Sequence, residues 1–231
     1  GMISHISIRH GGTEIGPGNE INGLSLGGVG SGTTIEMVEI VANLDDGIEW
    51  YGGDVDLTGA LVWNAGDDAL DTDQDWIGTC SNFIVVTPVG GSAFELDGPE
   101  GSINRGNHTL TNGLVYAGAL GEELIDLDSS TNAEMSDIYF YGFETPIIVE
   151  DFNGQSLTNF EYTFPATWDD DDDSDTPEVA WPFTAADIFI NVPAAELTEV
   201  AENANTVGPT SDAGFEWTWA SQSGDLGSIG L

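Results

Sequence analysis

An all-β solenoid, a right-handed parallel β-helix of about six coils, is the fold that this 231-residue sequence predicts, on three observations. A short apolar-x-apolar anchor recurs at Leu24, Ile48, Leu70, Phe94, Ile125 and Ile147, with spacings of 24, 22, 24, 31 and 22 residues. A second apolar stretch lies before most anchors: MVEIVA, GALVW, NFIVV, GLVYA and DIYFYG. Gly, Asp and Asn punctuate the joins, and no helical period separates the strands. A β-unit repeating every ~22 residues cannot bury its apolar face alone, whereas stacked copies can. A β-sandwich would need tight hairpins at ~8–12-residue strand spacing, which this period does not provide.

Taken in order, the chain opens on ISHISIRH, a strand with no segment before it to cover its edge. Gly1-Met2 looks like a trimmed start, so an earlier coil of a longer parent chain, or another copy of this one, is expected against that edge. In each anchor the first and third residues face inward. Leu24, Ile48, Leu70, Phe94, Ile125 and Ile147 therefore form one core column, and Leu26, Trp50, Thr72, Leu96, Leu127 and Val149 a second. The middle residues, Ser25, Glu49, Asp71, Glu95, Asp126 and Ile148, point out. Acids on neighbouring strands about 4.8 Å apart repel by ~1 kcal/mol per pair even in water, which calls for bound cations or concentrated salt. A polar insertion, EGSINRGNHT (100–109), lengthens one coil. The repeat is read as ending at residue 150, so 1–150 are coils and 151–231 a cap or flanking segment packed on the solenoid. Within it, WDDDDDSDTPEVAW reads as a solvated loop without the spacing of a calcium-binding loop. FEWTWASQSG, with aromatics on alternate positions, reads as a final strand.

The formal charge is -39, there is no lysine, and the only arginines are Arg9 and Arg105. Sequence-independent nucleic-acid binding and anionic membrane surfaces are thereby excluded, since both need clustered cations. Aromatic residues make up 10% of the chain and the apolar residues are patterned, so the acidity belongs to the surface of a folded protein. Such a charge self-repels in dilute buffer and is screened over only ~3 Å at 1 M salt, which predicts adaptation to high salt. Cys80 is the single cysteine, so no intrachain disulfide exists, and its apolar neighbours predict a buried, inert thiol. No apolar run approaches the ~20 residues of a membrane span. His5, His10 and His108 are too scattered to make a zinc site.

NLDDGIEWYGG (43–53) and NAGDDALDTDQ (64–74) carry the candidate site. Asp45, Asp46, Asp67, Asp68, Asp71 and Asp73 fall on two successive coils around two copies of one turn. Hard oxygen ligands without cysteine or a histidine cluster suit Ca2+ or Mg2+. The same residues also fit turn-making. Asn22-Gly23, Asp46-Gly47, Asp68-Ala69 and Ser92-Ala93 share one column, where small polar side chains bond the local backbone. Both readings stand at this stage, and no cofactor is required by either.

HISIRHGGTEIGPGNEINGLSLGGVGSGTTIE followed by NLDDGIEWYGG resembles secreted or surface β-helix proteins common in Bacteroidetes. The likeness spans about residues 4–75, and FEWTWAS near the end shares it. It implies an extracellular or cell-surface location and supplies no catalytic residues; the expectation formed here is a non-catalytic module that binds a polysaccharide or a surface protein, with calcium sites. A second resemblance is to polygalacturonases, pectin-cleaving β-helix enzymes with an N-x-D motif one coil before G-D-D. Asp46 would stand in the first motif and Asp67 with Asp68 in the second, making these three the catalytic candidates. The chain departs from that pattern. Leu44-Asp45-Asp46 lacks the asparagine, Gly91-Ser92-Ala93 replaces G-H-G, and no lysine exists for R-x-K. A β-helix lyase would add a basic arginine or lysine to calcium, and only Arg9 and Arg105 are available.

Overall fold

A computed structural model describes residues 1–17, 20–86, 90–99, 101–118, 121–150, 152–168 and 179–231. In chain order the strands of the first half are β1 (Met2–Arg9), β2 (Leu24–Val29), β3 (Thr34–Val41), β4 (Ile48–Gly53), β5 (Leu57–Trp63), β6 (Leu70–Trp76), β7 (Thr79–Val86) and β8 (Phe94–Leu96). Then follow β9 (His108–Gly118), β10 (Ile125–Leu127), β11 (Ala133–Phe143), β12 (Val149–Glu150), β13 (Ser156–Tyr162), β14 (Thr167–Trp168), β15 (Val179–Ala180) and β16 (Leu197–Glu199). The odd strands from β1 to β13, closed by β16, build an eight-stranded parallel sheet. The even strands from β2 to β12 build a six-stranded parallel sheet, and β14 and β15 form a small antiparallel pair. Each coil contributes one strand to each large sheet, so the chain is an all-β parallel β-helix.

Backbone conformation makes the corners. His5, Met37, Gly59, Asn82, Asn112, Asp137 and Asn159 all have φ between 53° and 81°, and the strand register passes over each of them. Left-handed backbone is most accessible to Gly, Asn and Asp, which supply five of these seven positions. Every long strand of the larger sheet therefore bends at its midpoint. The column links to itself where Asn112 Nδ2 donates to Asn82 Oδ1 at 3.4 Å and Asn159 Nδ2 to Asp137 Oδ1 at 2.5 Å. A second left-handed column, Gly28, Gly52 and Gln74, bends the smaller sheet near the ends of its first three strands, and a third, His10, Ala42 and Asn64, follows the ends of the first three strands of the larger one.

Inside, Ile48, Leu70, Phe94 and Ile125 stand in register and are fully buried, as are Leu57, Cys80 and Leu110 on the larger sheet. Each fully buried aliphatic or aromatic side chain contributes roughly 1.5–3 kcal/mol relative to exposure. Burial also pushes the Cys80 thiol far above its ordinary range, so it stays an inert core thiol. Trp50, Trp76 and His108 stack through the interior at centroid distances of 4.6 and 5.4 Å. His108 thus opens β9 as a core residue, buried and held neutral with its pKa pushed down to about 4 by burial, and not as part of a solvated insertion. The insertion instead folds back on the preceding coils through Arg105. Its Nε donates to Asp75 Oδ2 at 2.5 Å and its Nη2 to the Gly53 carbonyl at 2.9 Å.

Three expectations from the sequence need correction. The last anchor shifts by two residues: Val149, not Ile147, pairs with Ile125, which sets Glu150 rather than Ile148 beside Asp126. The repeat does not end at residue 150, because β13 pairs with β11 and β16 with β13 in parallel. FEWTWASQSG is not a strand. Thr218 accepts the Ser221 amide and starts a short helix, α2 (Trp219–Ser223), which Gly224 ends in the left-handed conformation. The acidic run between Trp168 and Trp181 falls mostly outside the described residues.

The C-terminal region divides in two. Ile188, at the end of a short helix α1 (Ala185–Ile188), packs with Phe189 and Val192 onto the main core beside Phe140 and Phe160. From residue 200 the chain then runs back along the outer face of the larger sheet as a strap. Beneath it Glu39, Leu61, Ile84, Leu114, Tyr139 and Glu161 form one outward column. Phe215, Ala220, Leu226 and Val207 cover the apolar middle of that column in a second core. The two glutamates pin its ends. Glu39 accepts the Ala220 amide at 2.9 Å near the start of α2, and Glu161 accepts the Thr206 amide and hydroxyl, each at 2.6 Å. Trp217 meets the His5 ring at 5.2 Å, and Arg9 lies 5.8 Å over the Trp219 ring, so the strap reaches the first coil.

Candidate functional site: an acidic face

The outer face of the smaller sheet carries a ladder of carboxylates. Glu49 pairs with Asp71, Asp71 with Glu95, Glu95 with Asp126, and Asp126 with Glu150, one per coil. A parallel sheet imposes this placement, because in-register partners on neighbouring strands share a face. Beside the ladder runs a second column from the turn before each strand. Asp46 Oδ1 accepts the Asp68 amide at 3.1 Å, and Asp68 Oδ1 accepts the Ser92 amide of the next coil. These aspartates therefore tie successive coils together. The local turn bonding expected from sequence gives way to bonding one coil onward, because the stacked turns place each carboxylate beneath the next amide.

The face is crowded rather than open. Glu49 is 5% exposed and Asp71 7%, although both point away from the core. Asn22 Nδ2 donates to Glu49 Oε2, and Tyr51 stands beside the same carboxylate. Burial of like charges drives the carboxyls toward the neutral form. Asp46 is pushed up to about 8 by burial, then by the charges of Asp45, Asp68 and Glu49. Asp71 is pushed up to about 11 by burial, then by Glu49, Asp46 and Glu95. Burial raises Glu95 to about 9, with Asp68 adding to it. Asp68 is raised by burial against the opposing hydrogen bonds of Glu95 and Ser92, and Asp45 by burial and then Asp67. Further along, burial and a hydrogen bond with Glu150 raise Glu123 to about 7.

The structure brings five of the six sequence-selected aspartates into this face. Asp45, Asp46 and Asp67 place carboxylate oxygens within 4.8 Å of one another, and so do Asp46, Glu49 and Asp71. Asp46 is common to both groups. Asp68 sits one coil on, against Glu95. Asp73 stands apart, accepting from its own neighbour Gln74. Glu49 and Glu95 complete the face without having been singled out as ligands, although their outward positions were legible. Glu123 and Glu150 were missed: the anchor misplaced by two residues hid Glu150, and nothing in the period marks Glu123. Neither arginine serves this face, since Arg105 is paired with Asp75 and Arg9 lies over Trp219 of the strap. Chemically the arrangement can share protons between carboxyls or exchange them for hard cations.

A stacked parallel solenoid with polar chemistry on one outer sheet defines the class as a β-helix domain. The family description "pectate-lyase like beta helix domain" matches residues 1–218, and the chain belongs to that family. The match takes in every coil and the strap as far as Thr218. No curated protein and no solved structure gives a match to the chain. No helix among the described residues is long and apolar enough to cross a membrane.

Proposed function

We propose that this chain is a non-catalytic, extracellular or cell-surface β-helix module whose acidic face binds hard divalent cations, Ca2+ first and Mg2+ second. On this reading the module presents a polysaccharide- or partner-binding surface adapted to high salt. The observation that carries it is the ladder of five carboxylates in register, with Asp46 shared between two groups of closely approaching oxygens. Calcium accepts 6–8 oxygens in irregular geometry, and a cation would replace the protons that the crowded carboxyls otherwise retain. The absence of lysine and the charge of -39 support the salt adaptation. Calorimetry at constant ionic strength tests the proposal. Wild type should bind calcium saturably, and Asp46→Asn with Asp71→Asn should lose most of the heat. Equal heats in wild type and variant would overturn it.

A second reading is a divergent polysaccharide-active enzyme, a glycoside hydrolase or lyase, using Asp46, Asp67 and Asp68. Burial that keeps Asp46 protonated to about 8 favours it, since a general acid must hold its proton at neutral pH. Exposed Asp67 would then be the base. Reducing-sugar release from acidic polysaccharides, abolished by Asp68→Asn, would establish this reading over the first.

A further inference from the structure

A cleft of about 760 Å3 lies where the strap meets the last coils of the larger sheet, far from the acidic face in the fold. Tyr116, Tyr141, Thr163, Phe164 and Glu199 form the solenoid side, and Glu202 and the Gly227–Gly230 stretch form the strap side. Its size falls within the range of small-molecule sites. The Tyr116 and Tyr141 rings stand nearly perpendicular, at 87°, with centroids 5.4 Å apart. Tyr116 is seated by glycine: a Cβ on Gly142, whose φ is +69°, would come within 2.3 Å of its ring. The polar groups of the wall are already engaged. Tyr141 Oη donates to the Ile229 carbonyl at 2.9 Å, Thr163 Oγ1 to the Val200 carbonyl at 2.8 Å, and Tyr116 Oη to Glu144 at 3.2 Å. Aromatic surface and carboxylates remain to meet a ligand, and no arginine or histidine lines the cleft.

From that combination we infer that the cleft binds a small organic ammonium ion, quaternary or protonated. Tyr141 is buried and stacked on Tyr139 at 5.1 Å, so the half-buried Tyr116 and Phe164 rings are the ones that meet the cation, and the exposed Glu199 and Glu202 supply the opposite charge. Inorganic cations keep their water and gain little from aromatic rings, so this site is distinct from the carboxylate ladder and stands whether or not the ladder binds calcium.

The test uses the full chain at fixed ionic strength, with choline as probe and 3,3-dimethylbutan-1-ol as its neutral isostere. Binding is followed by tyrosine and tryptophan fluorescence and by calorimetry. Choline should bind saturably and at least about tenfold more tightly than the isostere. Tyr116→Ala, and separately the double change Glu199→Gln with Glu202→Gln, should each weaken choline about tenfold. Both glutamates are exposed, so the double variant keeps the fold if Tyr116→Ala does not. Equal affinity for choline and the isostere, an unchanged affinity in the double variant, or no saturable binding of choline would each overturn the inference.

Discussion

Replacing Asp71 by Asn should stabilise the protein, and by an amount that depends on pH. Asp71 lies at the centre of the ladder, 7% exposed, between Glu49 and Glu95. Burial and those neighbours raise its folded pKa to about 11 from an ordinary 3.8. A carboxyl raised in the folded state contributes its full stability below the unfolded value and loses it as pH rises toward the folded one. Near pH 4 the wild type therefore pays almost nothing at this position. At pH 7 it retains a proton that the unfolded chain has released, which costs about 4 kcal/mol. Asparagine has the shape of the protonated acid and carries no such cost. In divalent-free, dilute buffer the variant should be more stable by up to about 4 kcal/mol at pH 7 and within about 1 kcal/mol of wild type at pH 4. Saturating calcium should narrow the gap, because a ligand at 100 times its Kd adds about 2.7 kcal/mol to the protein that binds it. Urea denaturation at pH 4, 5.5 and 7, with and without calcium, measures all of this without changing ionic strength. A variant less stable than wild type at pH 7 without calcium, or a gap independent of pH, would refute the argument.

Other outcomes follow from the same structure. The melting temperature of wild type should climb steeply from dilute buffer to molar potassium chloride, as screening relieves a charge of -39; a flat profile would count against salt adaptation. Glu39→Ala removes the acceptor of the Ala220 amide and of the Ser7 hydroxyl, and should cost about 1.5–3 kcal/mol while hastening amide exchange in α2. Unchanged exchange there would mean the strap is held without it. Gly113→Ala places a methyl about 2.0 Å from the Phe83 ring and should destabilise by about 1–3 kcal/mol in a denaturant melt, with Phe83→Leu in the same chain recovering part of the loss.

The coil period was legible because the inner columns admit only residues that bury well: Ile48, Leu70 and Phe94 cannot be exchanged for polar ones without opening the core. The last coil was misregistered where Ile147, Ile148 and Val149 offer three apolar residues in a row, so that two registers satisfy the same pattern. The strap was illegible for a different reason. Its docking column consists of residues such as Leu61 and Ile84, which sit on the outer face and count as outward in any single-coil pattern. Runs such as GALVW and NFIVV, apolar on both faces, were the available sign of a sheet covered twice. Thr218 was the sign of α2, overridden by the alternation of Phe215, Trp217 and Trp219. Among the acids, Asp45, Asp46, Asp67 and Asp68 stood out as doublets, while Glu123 required the three-dimensional stack to join its neighbours.

A solenoid held only by neighbouring coils would unravel from either end, since each unit then depends on the next alone. The strap changes that connectivity. The bond from Ala220 to Glu39 spans 181 residues of sequence and joins the tail of the chain to its second coil. Contacts of that separation raise contact order, so the final docking step should be slow compared with the zippering of coils. They also bring the two ends of the stack into one cooperative unit, in which fraying of the first coils releases the strap and exposes Leu61, Ile84 and Leu114 together. In a growing chain the outer face of the larger sheet stays bare until the strap, from residue 200 onward, emerges. Until then it is an apolar surface without an owner, and the nascent chain is at risk of aggregation in the interval before the strap docks.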